Sequence, residues 1–320
     1  MLVARNPVSN LHHIQGLVMK NRHTGALQGT LIAQLCVISM WTVRICVMMQ
    51  YFTSMFTPSK AKTKKELPRI PEGRRVYAVG DVHGRSDLFI SLIEAIEADV
   101  HAAEAEGLKC EVVLLGDLVD RGPDSANVIE LARKWKKMRE VHILCGNHEE
   151  MFLNSFEDKD ILRHFLRHGG RETLISYGME RKVFTKASLS EIQEMLEDVV
   201  PKKHRKFIGE FEDMVQLGDY LFVHAGIEPG VPLEEQKQRS LRWIREPFLS
   251  HEKSHGLVVV HGHTITDEVV DAGNRIGIDT GAYSSGRLTA LVLEGKKRRY
   301  LVAAEGKKGK VTVEGAKLKA

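Results

Sequence analysis

Five short blocks concentrate acid, imidazole, amide and glycine: Gly80-Asp81-Val82-His83-Gly84, Gly116-Asp117-Leu118-Val119-Asp120-Arg121-Gly122, Gly146-Asn147-His148-Glu149, His224-Ala225-Gly226 and Gly262-His263-Thr264. Hydrolysis of a phosphate ester needs a nucleophile made from water at neutral pH. It also needs positive charge opposite the equatorial oxygens during in-line displacement, and two divalent ions about 3.5 to 4 Å apart supply both. Such a pair takes mixed oxygen and imidazole ligands, a set that suits manganese, iron or zinc, with one carboxylate shared between the ions. Asp81, His83, Asp117, Asn147, His224 and His263 form that set, and the blocks read as a two-metal phosphoesterase site.

Each block needs an element that delivers it. Val76-Tyr77-Ala78-Val79, Val112-Val113-Leu114-Leu115, Val141-His142-Ile143-Leu144, Tyr220-Leu221-Phe222-Val223 and Leu257-Val258-Val259-Val260 are apolar runs of strand length and predict buried strands. Every candidate ligand then follows the carboxyl end of a strand, where open α/β sheets place their ligands. The glycines beside the ligands fit sharp turns and close backbone approach. Leu88, Leu92, Ile96 and Val100 recur every four residues and predict a helix packed on the sheet, with Ser86 as its cap. Between the third and fourth blocks, helices are predicted over 149–156 and 207–214 and after the capping-box start Ser188-Leu189-Ser190-Glu191. No internal repeat is present.

These blocks resemble those of the PPP-type metallophosphoesterases, the calcineurin-like superfamily that includes serine/threonine protein phosphatases and dinucleoside tetraphosphate hydrolases. The likeness spans about residues 74–294 and is strongest to the small bacterial and phage protein phosphatases. Gly169-Gly170-Arg171-Glu172-Thr173-Leu174, Trp243-Ile244-Arg245-Glu246 and Ile278-Asp279-Thr280-Gly281-Ala282 match as well. The resemblance implies a four-layer α/β/β/α sandwich. It implies that Asp81 and His83 hold one metal, that Asp117 bridges two, and that Asn147, His224 and His263 complete the second. A metal-bridging hydroxide would attack phosphorus directly, without a phosphoenzyme. His148 would protonate the leaving alkoxide, Asp120 would orient His148, and Arg121 and Arg245 would clamp phosphoryl oxygens, a task suited to the planar guanidinium. The implied activity is protein serine/threonine phosphatase. Symmetrical cleavage of bis(5'-nucleosyl) tetraphosphates is the second reading, and a catalytically silent phosphate-binding protein the third. The expected cofactors are two divalent ions, manganese before iron or zinc.

Other candidates have plainer explanations. His261 would share a strand face with His263, yet the pattern assigns it no ligand role, and it reads as a core histidine. Arg242 lies three residues before Arg245 and competes with it as a clamp; the Trp-Ile-Arg-Glu match favours Arg245. Asp279 reads as a turn residue supporting a metal strand, and His142, His164, His168, His251 and His255 as structural or exposed. Cys36, Cys46, Cys110 and Cys145 show no metal-binding spacing and suit the reduced core thiols of a cytoplasmic protein. Cys145, immediately before Gly146-Asn147, raises the question of oxidative control.

The chain has 320 residues, 43% of them hydrophobic, enough for one catalytic domain with two tails. The expected division is a poorly defined extension at 1–56, a solvated basic linker at 57–75, the catalytic domain at 76–300 with a helical cap at about 150–218, and a basic flexible tail at 301–320. Residues 76–294 carry 26 basic and 38 acidic side chains, which argues against a long polynucleotide as specific partner and for a phosphoprotein or small phosphoester. The apolar stretch 31–52 is interrupted by Gln34 and Arg44, so membrane contact there is the lesser reading. A monomer is expected. A product starting at Met48, Met49 or Met55 is expected to be fully active, and mapping the N-terminus of the native protein decides where it begins.

Overall fold

The computed structural model describes residues 67–317, with side chains to residue 315. The readings for residues 1–66, including the apolar stretch, most of the linker, Cys36 and Cys46, lie outside the described residues, as does the end of the tail. Among the described residues no helix is long and apolar enough to cross a membrane.

The elements run β1 (Arg74–Val79), α1 (Ser86–Ala105), β2 (Lys109–Leu114), α2 (Ser125–Met138), β3 (Val141–Ile143), α3 (Asn147–Asn154), α4 (Lys159–Phe165), α5 (Arg171–Ser176), α6 (Val183–Lys186), α7 (Leu189–Val199) and α8 (Lys202–Gly209). They continue with β4 (Met214–Leu217), β5 (Tyr220–Val223), α9 (Gln238–Trp243), β6 (Val258–His261), β7 (Val270–Asp271), β8 (Arg275–Gly277), α10 (Ala282–Ser285), β9 (Arg287–Glu294), β10 (Lys297–Glu305) and β11 (Val311–Lys317). One sheet has the order β11-β10-β9-β1-β2-β3 and the other β4-β5-β6-β8-β7. Strands β1, β2 and β3 are mutually parallel, as are β5, β6 and β8.

Strand alternation decides the layers. Val76, Ala78, Val113, Leu291 and Leu293 of the first sheet meet Tyr220, Phe222, Val258, Val260 and Ile276 of the second. Tyr77, Val79, Val112 and Leu114 point the other way, onto Leu88, Leu92, Ile96 and Val100 of α1 and Val128, Ile129 and Ala132 of α2. The outer face of the second sheet, Leu221, Val223 and Val259, packs on Ile227, Leu241 and Phe248. The result is the α/β/β/α sandwich, with a thin fourth layer: one six-residue helix and loops. Helices α3 to α8 extend the first helical layer sideways, since Phe152, Phe165, Leu174, Leu196 and Ile208 join the same cluster as α1 and α2.

Four expectations need correction. Residues 67–75 are not solvated linker: Ile70 is fully buried, its N–H donates to Gly295 O at 2.9 Å, and β1 begins at Arg74. Nor is 301–320 a flexible tail as far as it is described, because β10 and β11 pair from Glu305↔Val311 to Arg299↔Lys317. The lysines there mark an exposed hairpin edge, a common device against edge-to-edge aggregation. With this hairpin included, residues 67–317 hold 37 basic and 41 acidic side chains, so the domain is only mildly acidic. The helix expected over 207–214 ends at Gly209, and Met214 starts β4, because β5 offers it an antiparallel partner. Finally, Ser86 begins α1 without capping it; its hydroxyl donates to Asp124 Oδ2 at 2.6 Å, tying α1 to the start of α2. The Ser188 capping box is present: Ser188 N–H donates to Glu191 Oε2 at 2.7 Å and Glu191 N–H to Ser188 Oγ at 3.3 Å.

The hairpin also reaches the ligand-bearing turns. Arg85 Nη2 donates to Glu305 Oε2 at 2.6 Å, while its Nη1 donates to Ala282 O at 3.0 Å. Val311 and Val313 pack on the helix-side core. Truncation after Gly306 is therefore expected to destabilise the domain by about 1–3 kcal/mol, a fall in Tm of roughly 2–4 °C per kcal/mol. A thermal melt showing no change would mean that the strand contributes nothing.

Candidate metal centre

The candidate residues converge because every block sits where a parallel strand ends and the chain must turn. Asp81 and His83 follow β1, Asp117, Asp120 and Arg121 follow β2, Asn147 and His148 open α3 after β3, His224 follows β5, and His263 follows β6. All but Arg121 are buried. Five of them hold left-handed backbone without being glycine: His83 (φ 45°), Asp117 (φ 49°), Asp120 (φ 74°), Arg121 (φ 67°) and His263 (φ 63°). Such conformations cost of order 1–3 kcal/mol each and persist only where surroundings over-determine them. The turning is thus borne by the chemical residues themselves, and two neighbouring glycines serve a different need, space. A Cβ at Gly146 would lie 2.1 Å from Asp117 Oδ1, and one at Gly262 would lie 2.0 Å from Asp81 Oδ1.

Asp117 is the centre. Its Oδ2 lies 3.6 Å from His83 Nε2 and 3.9 Å from His148 Nε2, and its Oδ1 lies 3.5 Å from His224 Nε2. Two sets of potential ligand atoms gather within 4.8 Å of one another: His83 with Asp117 and His148, and Asp117 with His224 and His263. Asp117 belongs to both. Asp81 stands a step back, accepting the His263 N–H at 3.0 Å.

The tautomers can be read from backbone carbonyls, which only accept. His83 Nδ1–H donates to Val119 O at 2.8 Å and His224 Nδ1–H donates to Leu115 O at 2.8 Å, so the neutral rings carry bare Nε2 lone pairs. His224 Nε2 then faces two further acceptors, Asn147 Oδ1 at 3.1 Å and Asp117 Oδ1. His83 Nε2 and His263 Nε2 are buried without any hydrogen-bond partner among the described residues. Buried acceptors facing acceptors are unfavourable unless a cation lies between them. The donor set therefore fits divalent metal.

The charge state agrees. Burial holds His83 and His263 neutral, bringing each down to about 3. Burial, then the charges of Asp279 and Asp117, push Asp81 well above the carboxylate range. Burial also pushes Asp279 up to about 6; its Oδ1 accepts the Gly281 N–H at 2.9 Å. For Asp117 burial acts in the same direction, but the surrounding imidazoles, His224 first, outweigh it and keep the group ionised. Crowded acids and bare imidazoles are surroundings that favour a bound positive charge.

A second network orients His148. Its Nδ1–H donates to Asp120 Oδ2 at 2.6 Å, Thr173 Oγ1–H donates to Asp120 Oδ1 at 2.6 Å, and Asp120 N–H donates to Thr173 Oγ1 at 2.8 Å. Burial alone would lower His148, but Asp117 and Asp120 outweigh it and raise it. Arg121 Nη2–H donates to His148 Nε2 at 3.0 Å. Arg245 is exposed and close enough for its charge to bear on His263, whereas Arg242 is bound to Glu150 and Asp213. His261 packs edge-on to Phe248, its ring nitrogen near Gly277, and takes no part in either set. Cys145 is buried, and burial pushes its thiol up, so it is poorly suited to oxidative control.

Three residues in this arrangement were given no role by the sequence reading. Thr173 supports Asp120, and Tyr283 meets His83 with the rings nearly perpendicular and centroids 5.4 Å apart, while Arg121 lies over the Tyr283 face at 4.8 Å. Glu149 is the third: its fully buried carboxylate accepts N–H groups from Asp117 (2.8 Å), Leu118 (2.7 Å), Val119 (3.3 Å) and Gly146 (2.9 Å). Thr173 and Glu149 stood inside matched blocks, so position was a signal; Tyr283 had none.

The family profile described as calcineurin-like phosphoesterase matches residues 74–285. The asymmetrical bis(5'-nucleosyl)-tetraphosphatase PrpE of Anoxybacillus flavithermus is 26% identical, covering 67% of this chain and 88% of its own. Serine/threonine-protein phosphatase 2 of Salmonella typhimurium is 27% identical, covering 68% and 91%. Among solved structures, the cold-active protein-tyrosine phosphatase of a psychrophilic Shewanella species superposes with a TM-score of 0.45 at 16% identity, covering 81% of this chain and 89% of that one.

Glu149→Gln puts an amide donor against backbone donors and can satisfy only part of the set. It is expected to lower stability by about 2–4 kcal/mol and to weaken divalent-metal binding, read by denaturant unfolding and metal titration. Wild-type values in both would show that Glu149 does not organise the ligand loops.

Proposed function

The chain belongs to the calcineurin-like phosphoesterases, a family of metal-dependent phosphoester hydrolases, and from that premise we propose that it is a protein serine/threonine phosphatase. One observation carries the reading of the centre: Asp117 is common to two groups of buried ligand atoms. In the proposal Asp81, His83 and Asp117 hold one divalent ion and Asp117, Asn147, His224 and His263 the other, with manganese preferred and iron or zinc accepted by the same O/N set. When bound, the ions supply positive charge opposite the phosphoryl oxygens and bring the pKa of water to about 7.

The remaining chemistry belongs to the chain. His148 delivers a proton from Nε2 to the departing alkoxide, with Asp120 fixing its orientation through Nδ1 and Thr173 fixing Asp120. Arg121 and Arg245 hold the non-reacting phosphoryl oxygens. Because Arg121 donates to His148 Nε2 in the free protein, it must leave that nitrogen before a proton can be carried there. The movement to the phosphate would do both at once.

The second reading, hydrolysis of dinucleoside tetraphosphates, is supported by relatives of similar identity. Those relatives are named for asymmetrical cleavage, which favours that cut over the symmetrical one implied by the resemblance. A silent phosphate-binding protein is disfavoured because the His148-Asp120 pair is intact and engaged.

Residues 66–320, supplied with Mn²⁺, are expected to hydrolyse p-nitrophenyl phosphate and a phosphothreonine peptide, the latter faster than diadenosine tetraphosphate. Asp117→Asn should lose at least about 10³-fold in kcat, and His148→Asn about 10²- to 10⁴-fold. A strong preference for the dinucleotide would replace the protein-phosphatase reading, and full activity of Asp117→Asn would end the two-metal one.

A further inference from the structure

Between α4 and α5 the chain leaves helical geometry in one wide turn, Leu166–Gly170, at His168 (φ −104°, ψ 19°) and Gly169 (φ 109°, ψ 0°). The turn is fixed against the catalytic centre by backbone. Arg121 N–H donates to Gly169 O at 3.2 Å, and a Cβ at Gly169 would meet Arg121 N at 2.5 Å, so no side chain fits between them. On the other side Gly170 is closed in by Phe165.

This turn and the helix before it present His164, Arg167 and His168, all exposed. The imidazoles lie 3.9 Å apart by centroid, and His168 Nδ1–H donates to His164 O at 2.8 Å, which fixes the His168 ring. None of the three side chains has an acidic partner among the described residues, in contrast to neighbouring Arg163, which pairs with Asp160. Partial burial, then the charges of His168, Arg167 and His148, lower His164. A domain with more acids than bases could have placed an acid beside Arg167. The Arg167 guanidinium is therefore without an acidic partner among the described residues, and a ligand's negative charge can supply one.

We propose that Arg167, His168 and His164 form an anion subsite for a second phosphate group of the substrate, lying beyond the one being hydrolysed. The inference rests on the hydrolase reading and extends it: favoured substrates carry at least two phosphates. The guanidinium of Arg167 suits paired hydrogen bonds to phosphate oxygens, with the fixed His168 ring beside it. A multiply phosphorylated peptide and a dinucleoside polyphosphate share this chemistry, and the assay separates them.

The test compares wild type with Arg167→Ala/His168→Ala, both changes being at exposed positions outside the catalytic machinery, with thermal melts to confirm the fold. Substrates are p-nitrophenyl phosphate, a peptide with one phosphothreonine, the same peptide with two, and diadenosine tetraphosphate, all with Mn²⁺ at low salt. KM for the two monophosphates should stay within about twofold, while KM for the doubly phosphorylated peptide or the tetraphosphate should rise about tenfold. The wild-type advantage on that substrate should shrink with added salt. Whichever of the two responds names the source of the second phosphate. Equal changes on every substrate, or none, would overturn the subsite while leaving the hydrolase reading intact. Failure of the wild type on p-nitrophenyl phosphate would remove that reading, and the subsite with it.

Discussion

The carboxylate of Glu149 is the constraint on which the centre depends. It lies at the first turn of α3, wholly buried, and gathers four backbone N–H groups from the loop after β2 and the loop before α3. Burial and the charge of Asp117 push it up to about 7, while those same amides oppose the rise by favouring the ionised form. A charged acceptor shared by four donors is stronger than neutral bonds would be, and leaving any of the four unmet in the interior would be unfavourable. Glu149 therefore fixes the spacing between the Asp117 turn and the Asn147-His148 pair. That spacing sets how ligands from two different strands meet.

The strain stored around this point is considerable. Of the six non-glycine residues with left-handed backbone among those described, five sit at the centre, and the sixth, Lys308, lies in the β10–β11 turn. What holds the five is a network that leaves few alternatives: Val82 and His83 N–H groups donate to Asp117 O, Gly84 N–H donates to Leu118 O, and His148 N–H donates to Asp117 Oδ1. The two-sided packing of the parallel strands beneath supplies the stability against which the strain is set. Acid crowding adds to it, since Asp81, Asp117 and Asp279 share one interior and raise each other's affinity for positive charge.

The helical insertion is joined to the chemistry through hydrogen bonds more than through apolar contact. Thr173, on α5, is bonded to the backbone and carboxylate of Asp120, and Ser125 at the start of α2 receives the same Asp120 N–H at 3.0 Å. Gly169 is bonded to Arg121. Asp120, through it His148, and Arg121 are thus positioned by a segment that contributes none of the candidate metal ligands. A substrate that moves this segment would be felt at His148.

The chain by itself determined the ligand-bearing blocks, the apolar runs that became β1, β2, β3, β5 and β6, and the helix stripe at Leu88, Leu92, Ile96 and Val100, because period and residue type are local properties. Chemistry that needs a few residue types in fixed local order is legible in the same way. The pairing of β10 with β11, the change of Met214 from helix to strand and the folding of residues 67–75 onto the sheet depended on distant partners, and lysine-rich or proline-rich composition concealed them. Only the tertiary structure decided that Asp117 stands between two sets of ligand atoms, that Tyr283 meets Arg121, and that Glu149 holds two loops together. Those relations join residues from separate strands, and a linear sequence carries no distance between them.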